Sequence, residues 1–168
     1  MSKKVRIGKV SIGGGERIAV QSMTNTPTSD AEATLEQIAE LAARGCDIVR
    51  SSVPDSASAK AFKTICEKSP LPVVADIHFD YKLAIAAIEN GAAKVRINPG
   101  NLGGESNLRA VADCLKAHRI PVRVGVNGGS LDKKYAALPP AEAMCESALE
   151  YCSMLEKYGV YDIVVSVK

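Results

Sequence analysis

The stretch KVRINPGN, residues 94–101, decides how the rest of the chain is interpreted. Its β-branched residues, and the turn residues that follow them, predict a short buried strand. Side chains alternate between the two sides of a strand, so Val95 and Ile97 take one side. Arg96 and Asn98 take the other. One apolar and one polar side predict a sheet that packs against helices on one face and encloses a polar space on the other.

The same alternation recurs in the other strand-like segments. In PVVADIH, Asp76 and His78 share one side of the strand, and in PVRVGVN the same holds for Arg123 and Asn127. Polar side chains therefore collect on a single face of the predicted sheet. The inward-facing polar residues identified in this way are Arg50, Asp76, His78, Arg96, Asn98, Arg123, Asn127 and Lys168.

Strand-like and helix-like segments alternate along the chain after a predicted hairpin at residues 5–20, whose turn we place at Gly13–Gly15. The predicted strands are 17–22, 46–51, 71–77, 94–98, 120–126 and 162–168. The predicted helices are 30–44, 56–68, 80–90, 104–118 and 140–157. Three glycines stand where helices should end, namely Gly45, Gly91 and Gly159.

This rhythm predicts βαβ units and a parallel sheet covered by helices. Two parallel architectures compete, the doubly wound open sheet and the (β/α)8 barrel. A doubly wound sheet commonly carries G-x-G-x-x-G after a strand, and the sequence has none. A barrel gathers its functional groups at the C-terminal strand ends, where the polar residues lie. We therefore predict an α/β fold of the (β/α)8 TIM-barrel type over residues 1–168, here an incomplete barrel of about six strands and five helices with an N-terminal β-hairpin.

Composition excludes several classes of function. The 168 residues are 46% hydrophobic and 24% charged, as in globular proteins, and the net charge of +2 gives no reason to expect a nucleic-acid or membrane-surface partner. No apolar run resembles a signal peptide or a membrane span, so we expect a cytoplasmic protein. The five cysteines are widely spaced without a C-x-x-C pair, so we expect reduced thiols and no metal site.

The inward-facing charges do not balance. The inward carboxylate is Asp76, and the inward cations are Arg50, Arg96, Arg123 and Lys168. The surplus of about three positive charges lies in a partly dehydrated space, where it persists if a ligand supplies the opposite sign. Several forked guanidinium groups together suit the oxygens of a diphosphate. We therefore expect an anion site.

Two loops rich in glycine and asparagine support this prediction. Residues 98–107 and 126–131 follow the strands that carry inward arginines, and their backbone N–H groups can approach a phosphate closely. Asn98 and Asn127 begin these loops and are candidate ligand-binding residues together with the four cations.

Asp76 and His78 form a candidate catalytic pair. They lie two residues apart on the same side of one strand, hence next to each other. An imidazole beside a carboxylate can orient a ligand or transfer a proton.

Six motifs in chain order resemble the strand-end motifs of the 4-hydroxy-3-methylbut-2-enyl diphosphate synthase family. They are VQSMTNTPT (20–28), DIVRSSVP (47–54), VADIHFDYKLA (74–84), VRINPGN (95–101), VRVGVNGGSL (122–131) and VSVK (165–168). The similarity runs over nearly the whole chain, and VADIHFDY and RINPGN are highly specific to that family.

The resemblance implies an N-terminal barrel that holds 2-C-methyl-D-erythritol 2,4-cyclodiphosphate and a separate C-terminal domain with a four-iron, four-sulfur cluster. The implied activity is that of an oxidoreductase of non-mevalonate isoprenoid biosynthesis, which opens the ring reductively with electrons from flavodoxin or ferredoxin. The resemblance also implies that the four inward cations bind the diphosphate and that Asn127 helps to hold it. Asp76 and His78 would lie nearer the methylerythritol hydroxyls.

The chain departs from that family in length. A complete (β/α)8 barrel usually needs about 250 residues. We therefore expect a fragment that lacks the later strands and the iron-sulfur domain, is inactive alone, binds no cluster and has no cluster ligand among its five cysteines. Unpaired first and sixth strands predict that the chain self-associates into a homo-oligomer or is only marginally stable.

Two other functions remain open at this point. A lysine at the end of a sixth barrel strand, near phosphate-binding arginines, is also typical of Schiff-base aldolases that act on phosphorylated substrates, with Lys168 as the amine. A non-catalytic module that binds a phosphorylated ligand is the third candidate. Such a module would show no turnover even with a cluster-bearing partner and a reductant.

Overall fold

The computed structural model describes residues 2–98 and 101–168. Within these ranges, a hairpin of β1 (Val5–Ile7) and β2 (Val10–Ile12) precedes the main sheet. The main sheet consists of β3 (Gln21–Met23), β4 (Ile48–Ser52), β5 (Val73–Ile77), β6 (Lys94–Ile97), β7 (Val122–Val126) and β8 (Ile163–Val167). The α-helices between its strands are α1 (Ala31–Ala43), α2 (Ser56–Lys68), α3 (Tyr81–Glu89), α4 (Glu105–His118) and α5 (Pro140–Lys157).

The six strands of the main sheet pair in parallel, in the order in which they occur along the chain. A doubly wound sheet would reverse its strand order at a switch point, and this sheet does not. It curls instead into half of a barrel with the helices outside, which confirms the prediction of an incomplete TIM-barrel type. In the described part of the chain, β3 and β8 are the two edges of this sheet.

In the central strands β5 to β7, the helix-facing side of the sheet is apolar and buried. Val95, Ile97, Val122 and Val124 have no exposed surface and pack in one cluster with Phe62 of α2. Burial of a side chain of this size contributes about 1.5–3 kcal/mol to stability. This layer holds the strands in the register that places their other side chains in the barrel interior.

The hairpin turn lies at Gly8–Lys9, and its predicted position at Gly13–Gly15 is wrong. Ile7 pairs with Val10, so two residues form the loop, and Gly8 has a φ of +55°. A glycine with positive φ at the first loop position suits a two-residue hairpin turn. The hairpin packs Ile7 against inward-facing residues of β4 and β5, and so closes the N-terminal end of the barrel interior.

The first strand of the main sheet begins at Gln21 and is shorter than predicted, and two residues before it, Arg17 and Val20, bond to the side chain of Asp47. Arg17 pairs with this carboxylate, and the Val20 N–H donates to its Oδ2 at 2.8 Å. The other predicted strands and helices agree with the structure to within two residues at each end. None of the helices in the described ranges has the length and apolar character needed to cross a bilayer.

Candidate anion-binding site

A polar cavity of about 370 Å³ lies at the C-terminal ends of β4 to β8. Its lining includes all eight of the inward-facing polar residues that the sequence singled out. The other lining residues are Asn101, Gly125, Val126 and Ser166. Pro99 and Gly100, which belong to one of the predicted phosphate-binding loops, lie outside the described residues.

Strand register places three of the charged side chains next to one another. Asp76 of β5 pairs with Arg96 of β6, and Arg96 pairs with Arg123 of β7. Paired residues of neighbouring strands point to the same face of a sheet, so the three side chains enter the barrel interior at one level. The row is a direct consequence of alternation within each strand and of register between strands.

Asp76 is the centre of the charge network. Arg96 Nη1 donates to Asp76 Oδ1 at 3.1 Å, and Arg50 Nε lies 3.5 Å from Oδ2. The Asp76 side chain is only 3% exposed, so these contacts form away from bulk water. One carboxylate cannot neutralise two guanidinium groups, so positive charge remains at this level of the interior.

Some of the remaining N–H donors of Arg50 and Arg123 bond to weak or uncharged acceptors. Arg50 Nη2 lies 3.1 Å from the Met23 sulfur, and Arg123 Nη2 donates to the Ser166 hydroxyl at 2.6 Å. A thioether is a poor acceptor, and a guanidinium has five N–H donors. These contacts orient both arginines without neutralising them.

The electrostatic environment of Arg123 shows that the interior is short of negative charge. Burial lowers the pKa of Arg123, and the nearby charges of Arg50 and Arg96 lower it further, while Asp76 acts in the opposite sense. Arginine stays charged nonetheless, because its ordinary pKa lies far above neutrality. A bound anion would relieve this repulsion, so the cavity suits an anionic ligand.

Gly125 makes room for the guanidinium of Arg96. A Cβ atom at this position would lie 2.5 Å from Arg96 Nε and 2.9 Å from Nη2. The alternation of β7 puts residue 125 on the inward side, but no sequence pattern distinguishes it there. The close approach of two neighbouring strands' atoms, visible only in three dimensions, explains why a glycine stands there.

His78 lies at the rim of the cavity. Its Nε2 is 3.5 Å from Asp76 Oδ2, and its side chain is 43% exposed. The predicted pair is therefore brought together, with the carboxylate buried and the imidazole open to solvent. This arrangement can hold an imidazole in place and exchange protons between a ligand and water.

Sequence reasoning missed Lys94, an additional cation inside the barrel. Lys94 precedes Arg96 by two residues on β6, so the same alternation that selected Arg96 and Asn98 could have found it. Only 2% of its surface is exposed. Burial lowers the pKa of Lys94 to about 8, and the charges of Arg123 and Arg50 contribute to the shift.

The described residues do not fit an iron-sulfur cluster. Nowhere in these ranges do three or more His, Cys, Asp or Glu side chains come together in a group that could hold a metal ion. All five cysteines are free thiols, and only one of them, Cys145, is exposed. The cavity itself is rich in cations, which repel metal ions.

Comparison with known proteins identifies similar sequences. The family model of the GcpE TIM-barrel domain matches residues 2–168. The 4-hydroxy-3-methylbut-2-en-1-yl diphosphate synthase (flavodoxin) of Caldanaerobacter subterraneus is 52% identical over 172 residues, which cover 100% of this chain and 48% of the relative. The enzyme of the same name from Caldicellulosiruptor saccharolyticus is 53% identical and is covered to 49%. The chain thus spans about half the length of the curated relatives it matches.

Solved structures with the same fold are more distant in sequence. Dihydropteroate synthase from Xanthomonas albilineans superposes with a TM-score of 0.70 at 20% identity, over 97% of this chain and 64% of that protein. A phospho-2-dehydro-3-deoxyheptonate aldolase from Thermotoga maritima gives a TM-score of 0.66 at 16% identity, over 97% of this chain and 44% of the aldolase. At such identities the likeness shows a shared barrel fold and nothing about function.

Proposed function

The chain belongs to the GcpE TIM-barrel domain family, and we propose that it is the substrate-binding part of a 4-hydroxy-3-methylbut-2-en-1-yl diphosphate synthase, with 2-C-methyl-D-erythritol 2,4-cyclodiphosphate as the ligand of its cavity. One observation carries the proposal: four cations and one carboxylate line a single cavity of about 370 Å³. A doubly negative cyclic diphosphate would compensate most of that surplus. The names of the half-covered relatives specify a diphosphate product, which supports a diphosphate ligand.

Each lining residue has a role in this proposal. Arg50, Arg96, Arg123 and Lys168 bind the diphosphate oxygens, since guanidinium and ammonium groups form charge-assisted hydrogen bonds with phosphate. The amides of Asn98 and Asn127 contribute further contacts at the strand ends.

Asp76 and His78 act on the sugar-derived part of the ligand in this proposal. Asp76 is buried and holds the imidazole, whose Nε2 lies 3.5 Å from its carboxylate. His78 stands at the rim, where it can donate a proton to an oxygen that leaves during ring opening and dehydration. The barrel part therefore binds, orients and supplies protons.

The electrons come from outside the described residues in this proposal. Ring opening with loss of water consumes two electrons, and the relatives are named for flavodoxin as donor. Flavodoxin, ferredoxin or a similar protein would serve this chain's enzyme in the cytoplasm. A four-iron, four-sulfur cluster would pass the electrons, held by a further domain because the described residues do not fit it.

The two edge strands of the main sheet can pair with another chain. In the described ranges, β3 and β8 pair on one side only, and Val165 and Val167 of β8 are exposed. Unpaired strands and exposed valines favour association with another chain. We therefore propose that the 168-residue chain self-associates through these edges, and light scattering that shows a monodisperse monomer would contradict this.

Calorimetric titration with the cyclic diphosphate tests the proposed ligand. Arg96→Ala removes a guanidinium that is 18% exposed and bound to Asp76, so we expect affinity to fall by at least about thirtyfold, equivalent to about 2 kcal/mol. Arg109→Ala, which removes an exposed arginine on α4, serves as the matched control and should bind like the wild type. Circular dichroism establishes that each variant is folded. Equal affinity in wild type and Arg96→Ala, or no binding by a folded wild type, would overturn the proposal.

The Schiff-base alternative makes a different prediction. It requires that borohydride trap a phosphorylated carbonyl compound on Lys168 as a stable secondary amine. Our proposal gives Lys168 a role in binding anions only, so mass spectrometry should find no such adduct.

A further inference from the structure

Lys94 places a positive charge beneath the anion cavity. It lies two residues before Arg96 on β6, one inward position nearer the N-terminal end of the barrel. Together with Arg123 it lines a second cavity of about 650 Å³, on the hairpin side of the interior. Arg123 and Ser166 line both cavities, so the two spaces are neighbours.

The charged groups that surround Lys94 are mostly cations. Arg50 faces it from β4, Arg123 from β7 and Arg96 from its own strand. Asp76 faces the interior from β5, but its carboxylate contacts Arg96, Arg50 and His78. The hairpin and β8 contribute the uncharged residues Ile12, Val164 and Ser166. Among the described residues, no carboxylate lies within ion-pair distance of Lys94.

This environment makes the charged form of Lys94 unfavourable when the cavity holds no anion. Burial and the two arginines lower its pKa to about 8, from an ordinary value of 10.5. An anion on Arg50 and Arg123 would add negative charge close to the lysine and favour its protonated form. Binding and protonation are then linked, because each makes the other more favourable.

We propose that Lys94 is a proton-linked positioning residue of the anion site, which takes up a proton from solvent when a phosphate-bearing anion binds to Arg50 and Arg123. Lys94 does not touch the ligand and acts through the arginines above it. The inference rests on the proposed function only in requiring that the cavity bind an anion. The consequence is that anion affinity falls with rising pH, although every arginine stays charged.

Proton uptake is measured directly by calorimetric titration at pH 8.5 in two buffers with different heats of ionisation. The cyclic diphosphate is a suitable probe because each of its phosphates has one acidic oxygen, which is ionised throughout pH 7–9. An upward shift of about one pKa unit on binding predicts uptake of roughly half a proton at pH 8.5. It also predicts affinity roughly fivefold lower at pH 9 than at pH 7.

Variants assign the proton to Lys94. Lys94→Met should abolish the uptake at pH 8.5 and make affinity independent of pH between 8 and 9, above the range in which an imidazole ordinarily titrates. Lys94→Arg keeps a permanent charge, so it should also show no uptake but bind at pH 9 more tightly than the wild type, which a merely structural role would not produce. Lys63→Met, which removes an exposed lysine of α2, is the matched control and should retain the uptake.

Trimetaphosphate, a cyclic polyanion that does not titrate in this range, separates this inference from the proposed substrate. If only trimetaphosphate binds, with uptake that depends on Lys94, the inference holds and the proposed substrate is wrong. If the cyclic diphosphate binds without uptake, or the uptake persists in Lys94→Met, the inference is overturned and the proposed function stands. If the folded protein binds neither anion, both are overturned.

Discussion

The two faces of the main sheet use the same strands for opposite purposes. On β6, Val95 and Ile97 point toward the helices and are fully buried among apolar neighbours. Lys94 and Arg96 alternate with them on the same strand and enter an interior that contains more cations than carboxylates. Burial stabilises the outer face, whereas burial of unbalanced charge destabilises the inner face.

The outer face of the sheet stabilises the fold, and the inner face carries the candidate site. A strand cannot move one set of side chains without moving the other, because both belong to one backbone. The apolar face therefore holds cations in positions that they would not occupy by their own interactions. Substitutions on the outer face should change stability alone, and substitutions on the inner face should change anion binding.

The largest effect is expected on the outer face, from Phe62→Ala. Phe62 is fully buried against the sheet from α2, and its truncation leaves a cavity that costs about 3–5 kcal/mol in the free energy of unfolding. Urea denaturation measures this loss, and calorimetry measures the affinity of the molecules that remain folded. We expect affinity for the cyclic diphosphate to stay at the wild-type value.

A milder substitution keeps the experiment informative if the alanine variant does not fold. Phe62→Leu retains most of the apolar contact and should cost about 1–2 kcal/mol. If affinity falls in step with stability in either variant, the two faces are not independent and the comparison fails.

Lys94→Met should stabilise the protein at neutral pH, which is the reverse of what a deletion in a core usually does. Lowering the pKa of a lysine from 10.5 to about 8 corresponds to a cost of about 3 kcal/mol for the charged form in the folded state. Methionine has a similar length and carries no charge. We therefore expect the free energy of unfolding of the variant to exceed that of the wild type by up to about 3 kcal/mol at pH 7, measured by urea denaturation.

The advantage of Lys94→Met should disappear as pH rises. Between about 8 and 10.5 the folded state has released the Lys94 proton while the unfolded state still holds it, so rising pH stabilises the folded wild type. Burial raises the pKa of Cys66 to about 12, which acts in the opposite direction above its ordinary value of 9. Cys66 is present in both proteins, so its contribution cancels in the difference. If the difference in the free energy of unfolding between the two proteins stays constant from pH 7 to pH 10, the Lys94 charge does not carry the expected cost in the folded state.

The alternation of side chains allowed most of the site to be predicted from the sequence. Each of the eight residues chosen by inward parity lines the same cavity, because parallel strands in register keep that parity across the sheet. Lys94, the first residue of β6, has the parity of Arg96 as well, so the same signal selects it. The period of two was the correct signal, and it had to be applied to the whole strand.

Other features depended on contacts that no local pattern contains. The run of three glycines at Gly13–Gly15 predicts a hairpin turn there. The actual turn is formed by Gly8 and Lys9, between the paired residues Ile7 and Val10. Residues 17–20 have strand-like composition, but Arg17 and Val20 bond to the side chain of Asp47, about thirty residues later in the chain. No sequence pattern singles out Gly125, because the group that requires a glycine there is the Arg96 guanidinium on the neighbouring strand β6.

The smallest of the expected effects, that of Gly125→Ala, tests the inner face without altering any charge. The new Cβ would lie 2.5 Å from Arg96 Nε, so the guanidinium must move and its 3.1 Å bond to Asp76 must weaken. We expect affinity for the cyclic diphosphate to fall about tenfold, equivalent to about 1.4 kcal/mol, while stability changes little because a flexible side chain can yield.

A control for Gly125→Ala must separate the loss of room for the Arg96 guanidinium from a change in the strand itself. The decisive arrangement is a double-mutant cycle with Arg96→Ala. If Gly125 acts by making room for Arg96, the alanine at 125 costs affinity in the wild type and nothing once the guanidinium is gone. An equal loss in both backgrounds would place the effect of residue 125 in the strand itself. The inner face would then depend on the backbone as much as on its cations.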